Sequence, residues 1–530
     1  MIHLDKDRTK AMIAVHGWSG ILLGLLLFAV VLTGTTAVFA DEIGAWSAGH
    51  VEQRSAFARP IDATIRRLAR ITPEKYRADI NLFELGDRRL GAFFHRDELD
   101  ADGQPIVRGI YYQMDRQGGV AKALHGTGEE VFGPRNDDAL SSFLVDTHVR
   151  LHVPNPWGLL LTGILGLAML VACISGVLIH RHLFKDIFTL RHRASPVLAD
   201  RHRHSVAGTW SLPFAFLLAF TGSFFSFFGT IGVPVVAAAA FGGDQQALSE
   251  AVFGIPGRPD PRVQTFGNLD TIMADASRRT GEAPRFVIVE NFGRADAKVT
   301  SFHRPREGDI EPVTLLYNGA IATFERTKPP IGSRPSAGGT LAAIMAPMHF
   351  GDFAGIASKA IWFGLGFAVC YVTYTGMRLW VIRRRADQPS IAWLELCLIV
   401  VCFGLPFALT VCAAAFLVAM PLDAAVTWVP TAFLGASGIA AVAGALLPKP
   451  ELLVRILQAA TGAVMLALPV LRLFIARGPA WGEALASGQP VIVALDVAFI
   501  LAGGWQLHRS CVAERRLRDH PVKLDRVAKA

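Results

Sequence analysis

Residues 16–39 read HGWSGILLGLLLFAVVLTGTTAVF, an apolar run that opens on a histidine and holds a Thr-Gly pair. At about 1.5 Å per helical residue, the stretch 12–40 is longer than the roughly 30 Å hydrocarbon core of a bilayer. Further apolar runs fall near 157–179, 206–240, 356–381, 391–420, 425–447, 452–475 and 490–508. Of 530 residues, 52% are hydrophobic and 18% charged, and mean hydropathy is +0.38. The sequence therefore predicts an α-helical polytopic membrane protein with eight spans. The net charge of +8 does not point to nucleic acid, because the basic residues gather beside the spans, as membrane topology requires.

The opening run has a second copy. His16, Gly20, Thr33 and Gly34 recur as His204, Gly208, Thr221 and Gly222 at the same offsets. Each copy is followed by a polar segment and then another span. Within 41–150, residues 61–71 have helical periodicity, and 78–85, 90–95 and 106–114 read as strands with turns at Gly86-Asp87 and Asp102-Gly103. Within 241–345, residues 269–279 read as a helix, and 285–289, 298–303, 314–317 and 321–325 as strands. The expectation is a duplicated two-span unit forming a four-helix core with two inserted α+β domains, plus four C-terminal spans. The pieces are a cytoplasmic N-terminus and first span (1–40), an α+β domain (41–150), a second span (151–181) and a basic cytoplasmic loop (182–203). A third span (204–240), a second α+β domain (241–348), a fourth span (349–385) and four further spans with a cytoplasmic tail (386–530) follow.

Short loops rich in Lys and Arg lie before span one, between spans two and three, after span four, between spans six and seven, and after span eight. All fall on one side, so both termini are expected in the cytoplasm and both α+β domains outside, in the periplasm of a Gram-negative cell. Lys6, Arg8 and Lys10 followed by an apolar run, with Val38-Phe39-Ala40 after it, resemble a signal peptide. The run exceeds the roughly 7–15 residues of a signal core, so it is read as a retained helix.

None of the six cysteines lies in a polar segment, and no Cys-x-x-Cys occurs, which excludes covalently attached c-type haem and a dithiol redox site. The histidines carry more. Topology places His16 and His204 near the cytoplasmic ends of spans one and three. It places His152 and His349 just before spans two and four, each with a glycine six residues on (Gly158, Gly355). Imidazole is the usual axial ligand of b-type haem. The simplest pairing is His16 with His204 and His152 with His349. His180 is an alternative inner ligand, and His148 a weaker outer candidate. Small residues such as Gly20, Gly24, Gly208, Gly163, Gly166, Gly364 and Gly366 would admit a macrocycle, although glycines also serve plain helix packing. Zinc or copper would favour histidines clustered with Cys, Asp or Glu. Asp496 is the one clear acid in the last four spans, either satisfied by a neighbouring helix or functional.

The stretches HGWSGILLGLLLFAVVLTGTTAVF, LHVPNPWG…ISGVLIH, HSVAGTWSLPFAFLLAFTGS and MHFGDFAG…YTGMRLW together resemble the PepSY-associated transmembrane helix family, over roughly residues 10–385. That family includes iron-regulated inner-membrane proteins and haem-containing ferric-siderophore reductases. The resemblance implies PepSY-like external domains, two b haems held by His16, His204, His152 and His349, and electron passage from cytoplasm to periplasm. The four C-terminal spans depart from the family pattern.

The function expected is a di-haem electron conduit in the inner membrane that reduces a ferric siderophore or other ferric chelate during iron uptake. Gly364-Leu365-Gly366 lies inside a span and not after a strand, so it is no dinucleotide fingerprint; the donor would be a quinol or a separate reductase. The alternatives are a transporter or permease component, for which spans one to four lack a midplane ionisable cluster, and a non-enzymatic sensor or assembly protein.

Overall fold

The computed structural model describes residues 5–49, 55–85, 88–101, 105–179, 196–244, 247–248, 251–252, 259–305, 309–332, 334–385, 388–447 and 449–519. Among the described residues, seven helices are long and apolar enough to cross a membrane, and eight if the bent pair α1 (Lys6–Leu22) and α2 (Gly24–Ala37) is one span. The chain is thus a multi-pass membrane protein. The first span is not straight: α1 and α2 meet at 66° across Leu23. A side chain at Gly24 would run into Met377, with a Cβ only 2.5 Å from its sulfur, so glycine lets the bend press against a later span.

Beyond α2 lie α3 (Ala40–Ala48), α4 (Asp62–Ile71), the short α5 (Gly128–Val131), α6 (Ala139–Arg150) and the second span α7 (Trp157–Ile179). The third span is α8 (Pro196–Phe227), which continues through a π turn at Phe228–Gly232 into α9 (Val233–Phe241). Then come α10 (Leu269–Thr280), α11 (Ala337–Phe350) and the fourth span α12 (Gly355–Arg385). The first four spans form a ring in which α1 packs on α7, α7 on α8, α8 on α12, and α12 on α2. Each contributes to one apolar core: Leu27 from α2, Leu165 and Met169 from α7, Phe214 and Ala219 from α8, Val369 from α12.

The two polar segments do not stand as separate sheets. Strands β1 (Asp79–Glu84), β2 (Leu90–Leu99), β3 (Pro105–Met114), β4 (Val120–Thr127), β5 (Phe286–Glu290), β6 (Lys298–His303), β7 (Val313–Asn318) and β8 (Thr323–Lys328) form one antiparallel sheet. Its order is β4-β3-β2-β1-β5-β6-β7-β8, closed in the middle by β1 on β5 with Ile80 opposite Val289 and Phe83 opposite Phe286. Alternation buries Ile80, Leu82, Phe94, Tyr112, Val287, Val289, Val299 and Leu315 on one face, under Ile65 and Leu68 of α4 and Ile272 and Met273 of α10. The two helices cap each other. Asp270 accepts from the backbone N–H of Ile61 (2.6 Å) and Asp62 (3.0 Å), and Asp62 accepts from that of Leu269 (2.9 Å). The proposed turns at Gly86-Asp87 and Asp102-Gly103 lie outside the described residues, and β4 has no counterpart in the sequence reading.

The C-terminal helices α13 (Ala392–Ala419), α14 (Ala425–Leu446), α15 (Pro450–Phe474), the short α16 (Trp481–Ala486) and α17 (Pro490–Asp519) pack on one side of the ring. Asp496 is fully buried and paired with Arg472 at 2.7 Å. It also accepts from Trp46 of α3 and Trp481 of α16, each at 2.8 Å. Arg472 donates further to the Pro479 carbonyl. A buried charge pair is tolerated only when its remaining polar atoms are satisfied, and here they hold the extension to the first span's outer helix. Asn136 adds a second tie, donating to the Met420 carbonyl and accepting from Ala425 N–H.

Candidate functional site

Four histidines meet in two facing pairs. His16 of α1 and His204 of α8 have ring centres 6.3 Å apart, edge to face with planes inclined by 72°. His148 of α6 and His349 of α11 have ring centres 6.1 Å apart, with planes inclined by 29°. His204 and Thr221, which touches the second pair, lie on the same helix 17 residues apart. The two pairs are therefore separated by about 25 Å along the span.

Each ring is held through Nδ1. His16 Nδ1 is 3.1 Å from the Ala172 carbonyl and 3.1 Å from Ser175 Oγ, both on α7. His204 Nδ1 is 3.1 Å from the Val372 carbonyl and 3.2 Å from Thr375 Oγ1, both on α12. A carbonyl can only accept. The Ser175 and Thr375 hydroxyls spend their protons on the carbonyls of Val171 and Tyr371 one turn back. Nδ1 must therefore carry the hydrogen in both rings. His148 Nδ1 likewise donates to the Val30 carbonyl at 2.9 Å. His349 Nδ1 is hydrogen-bonded to Thr221 Oγ1 at 2.7 Å. In the three rings whose Nδ1 meets a backbone carbonyl, the unprotonated nitrogen is Nε2, the lone pair available to a metal.

The Thr-Gly pairs make room for the second site. A Cβ on Gly34 would stand 2.5 Å from Cε1 of His148, and one on Gly222 would stand 3.2 Å from Cε1 of His349. Gly20 and Gly364, also singled out in the sequence, have no protein atom within 4 Å of such a Cβ.

The structure corrects one of the expected partners. His152 does not face His349. It follows α6, in the left-handed region at φ 55°. Its ring stacks on Phe143 at 4.3 Å, and Nε2 lies 2.8 Å from Thr147 Oγ1. Thr147 also bonds the Phe143 carbonyl, so the hydrogen bond ties the His152 ring back to its own helix. The equivalence drawn from glycines six residues on misled. What matters is helix phase: His148 lies on the face of α6 that buries Leu140, Leu144 and Thr147, and His152 comes after the helix has ended. His180 lies outside the described residues.

Among the described residues no group of three or more His, Cys, Asp or Glu side chains is placed to hold a metal ion. The donor set at each position is two imidazoles.

The sequence profile of the PepSY-associated transmembrane region matches residues 13–383, which contain both pairs. A Pseudomonas aeruginosa protein described as the uncharacterized protein PA4219 is 26% identical over 265 residues. That similarity covers 47% of this chain and 64% of the relative's length. With most of its length, and all four paired histidines, inside the family profile, the chain belongs to the PepSY-associated transmembrane family.

Proposed function

We propose that the chain is a duplicated two-span unit that binds two b-type haems, one in each histidine pair, and serves transmembrane electron transfer. The observation that carries this reading is two pairs of imidazoles at about 6 Å, each ring anchored through Nδ1. A metal–imidazole bond is about 2.0 Å long and the ring centre lies about 1.1 Å behind the nitrogen, so two imidazoles on opposite sides of one metal stand about 6 Å apart. The observed separations of 6.3 and 6.1 Å suit that arrangement. Two imidazoles leave a zinc site short of ligands, whereas a macrocycle brings its own four nitrogens. When bound, haem supplies one-electron redox chemistry.

The rest falls to the chain. Ala172 with Ser175, Val372 with Thr375, Val30 and Thr221 fix the orientation of the four rings. Gly34 and Gly222 admit the rings of His148 and His349 beside the first and third spans. The basic short loops favour an inner-membrane orientation with both termini cytoplasmic and the eight-stranded sheet in the periplasm. In that orientation the His16–His204 pair lies on the electron-accepting side, served by a quinol or a separate reductase. The His148–His349 pair lies on the delivering side, below the sheet. The acceptor is a ferric siderophore or other ferric chelate, whose hard oxygen ligands hold ferrous iron less tightly.

The absorption spectrum of the purified protein, expressed with haem available, tests this. A reduced b-type α band and about two haems per chain are expected. A colourless protein overturns the reading.

A further inference from the structure

We infer that the basic end of the fourth span, with Trp18, Trp380 and Arg384, is a binding site for the headgroup of one anionic phospholipid. The four arginines at this end of α12 are not alike. Arg378 is ion-paired with Asp200 and Arg385 with Glu395. Arg384 has no carboxylate within ion-pair distance among the described residues. Its guanidinium carbon instead lies 4.9 Å from the ring centre of Trp18 and 4.5 Å from that of Trp380. The two indoles meet edge to face at 5.5 Å. Cation–π contact with two indoles holds the guanidinium in place without using up its N–H donors, which stay available to an anion. Arg383 beside it is exposed and adds a second positive charge.

The surroundings choose the source of the anion. Trp18 and Leu22 are one helical turn apart on one face of α1 and are 44% and 71% exposed, with Leu22 on the membrane side of Trp18. This is an apolar wall leading away from the cation toward the bilayer interior, as an acyl chain beneath a phosphate requires. Tryptophan and arginine at a span's end sit at headgroup depth. A free phosphate would use the guanidinium and leave the wall uncovered. The site also bridges spans: Trp380 packs on Gly17, with 3.2 Å from a Cβ placed there to its ring. Gly17 is the neighbour of His16. A lipid here clamps α1 to α12 beside the first histidine pair.

The test is thermal unfolding of the purified, delipidated full chain in detergent, titrated with phosphatidylglycerol, phosphatidylcholine or inorganic phosphate. Phosphatidylglycerol is expected to raise the wild-type midpoint saturably, and the other two are not. Arg384→Gln and Trp18→Leu should weaken the apparent phosphatidylglycerol affinity at least about tenfold. Arg384→Lys keeps the charge but not the planar fork, so it should also weaken binding, and it serves if the glutamine variant does not fold. An equal rise with phosphatidylcholine, a rise with inorganic phosphate alone, or an unaltered response in Arg384→Lys overturns the site.

Discussion

Thr221 Oγ1 is hydrogen-bonded to Nδ1 of His349 at 2.7 Å, joining two residues 128 apart in the chain. The threonine belongs to the Thr-Gly pair of the third span and the histidine to the helix that leads into the fourth. The contact explains why the pair is Thr-Gly: the hydroxyl orients the ring, and Gly222 leaves it room.

Replacing Thr221 by Val keeps the shape and removes the hydrogen-bond partner. Haem affinity at the His148–His349 pair is expected to fall about 10- to 100-fold, the usual cost of losing such an outer partner. Titration of the haem-free protein measures this, with the other pair as internal reference. Unchanged affinity at both sites would show that Thr221 orients nothing.

His148 and His152 separate the geometry from the spacing argument. His148→Ala should remove about one of the two haems. His152→Ala should keep both, since His152 is spent on Thr147 and Phe143. Haem content per chain, read from the pyridine haemochrome, decides between them. The reverse pattern would restore His152 as the ligand.

The glycines should differ in a graded way. Gly34→Ala places a methyl 2.5 Å from the His148 ring, Gly222→Ala places one 3.2 Å from His349, and Gly20→Ala meets nothing within 4 Å. Haem loss is expected in that order, with Gly20→Ala like wild type. Equal behaviour of the three would mean that the rings shift freely.

The Arg472–Asp496 pair should behave as a coupled unit. Arg472→Met leaves the Asp496 carboxylate buried with only its two indole donors, at a cost of about 3–5 kcal/mol. Adding Asp496→Leu should recover a large part of that loss. Denaturation of the single and double variants measures the coupling. Additive losses would show that the two groups do not depend on each other.

Some of this was legible along the chain. Apolar runs of spanning length, helix-then-strand order in each polar segment, and the recurrence of His16 and Thr33-Gly34 as His204 and Thr221-Gly222 are local patterns, and local periodicity is readable. The first span's bend at Leu23 was not legible, because no proline marks it and the partner that Gly24 meets there, Met377, comes from a distant helix. Strand β4 was missed because most of its residues are exposed and leave no apolar alternation to read.

The sequence by itself determined the class of the protein, the placement of most elements and the residue types that can hold a metal, since each depends on neighbours along the chain. Only the tertiary structure decided which histidine faces which. His148, and not His152, reaches His349 because helix phase points the one inward and the end of α6 turns the other away. Only the tertiary structure decided that β1 pairs with β5, which joins two segments into one sheet, and that Arg472 answers Asp496. Each of these contacts is set by side-chain direction and long-range packing, and neither is encoded in spacing along the chain.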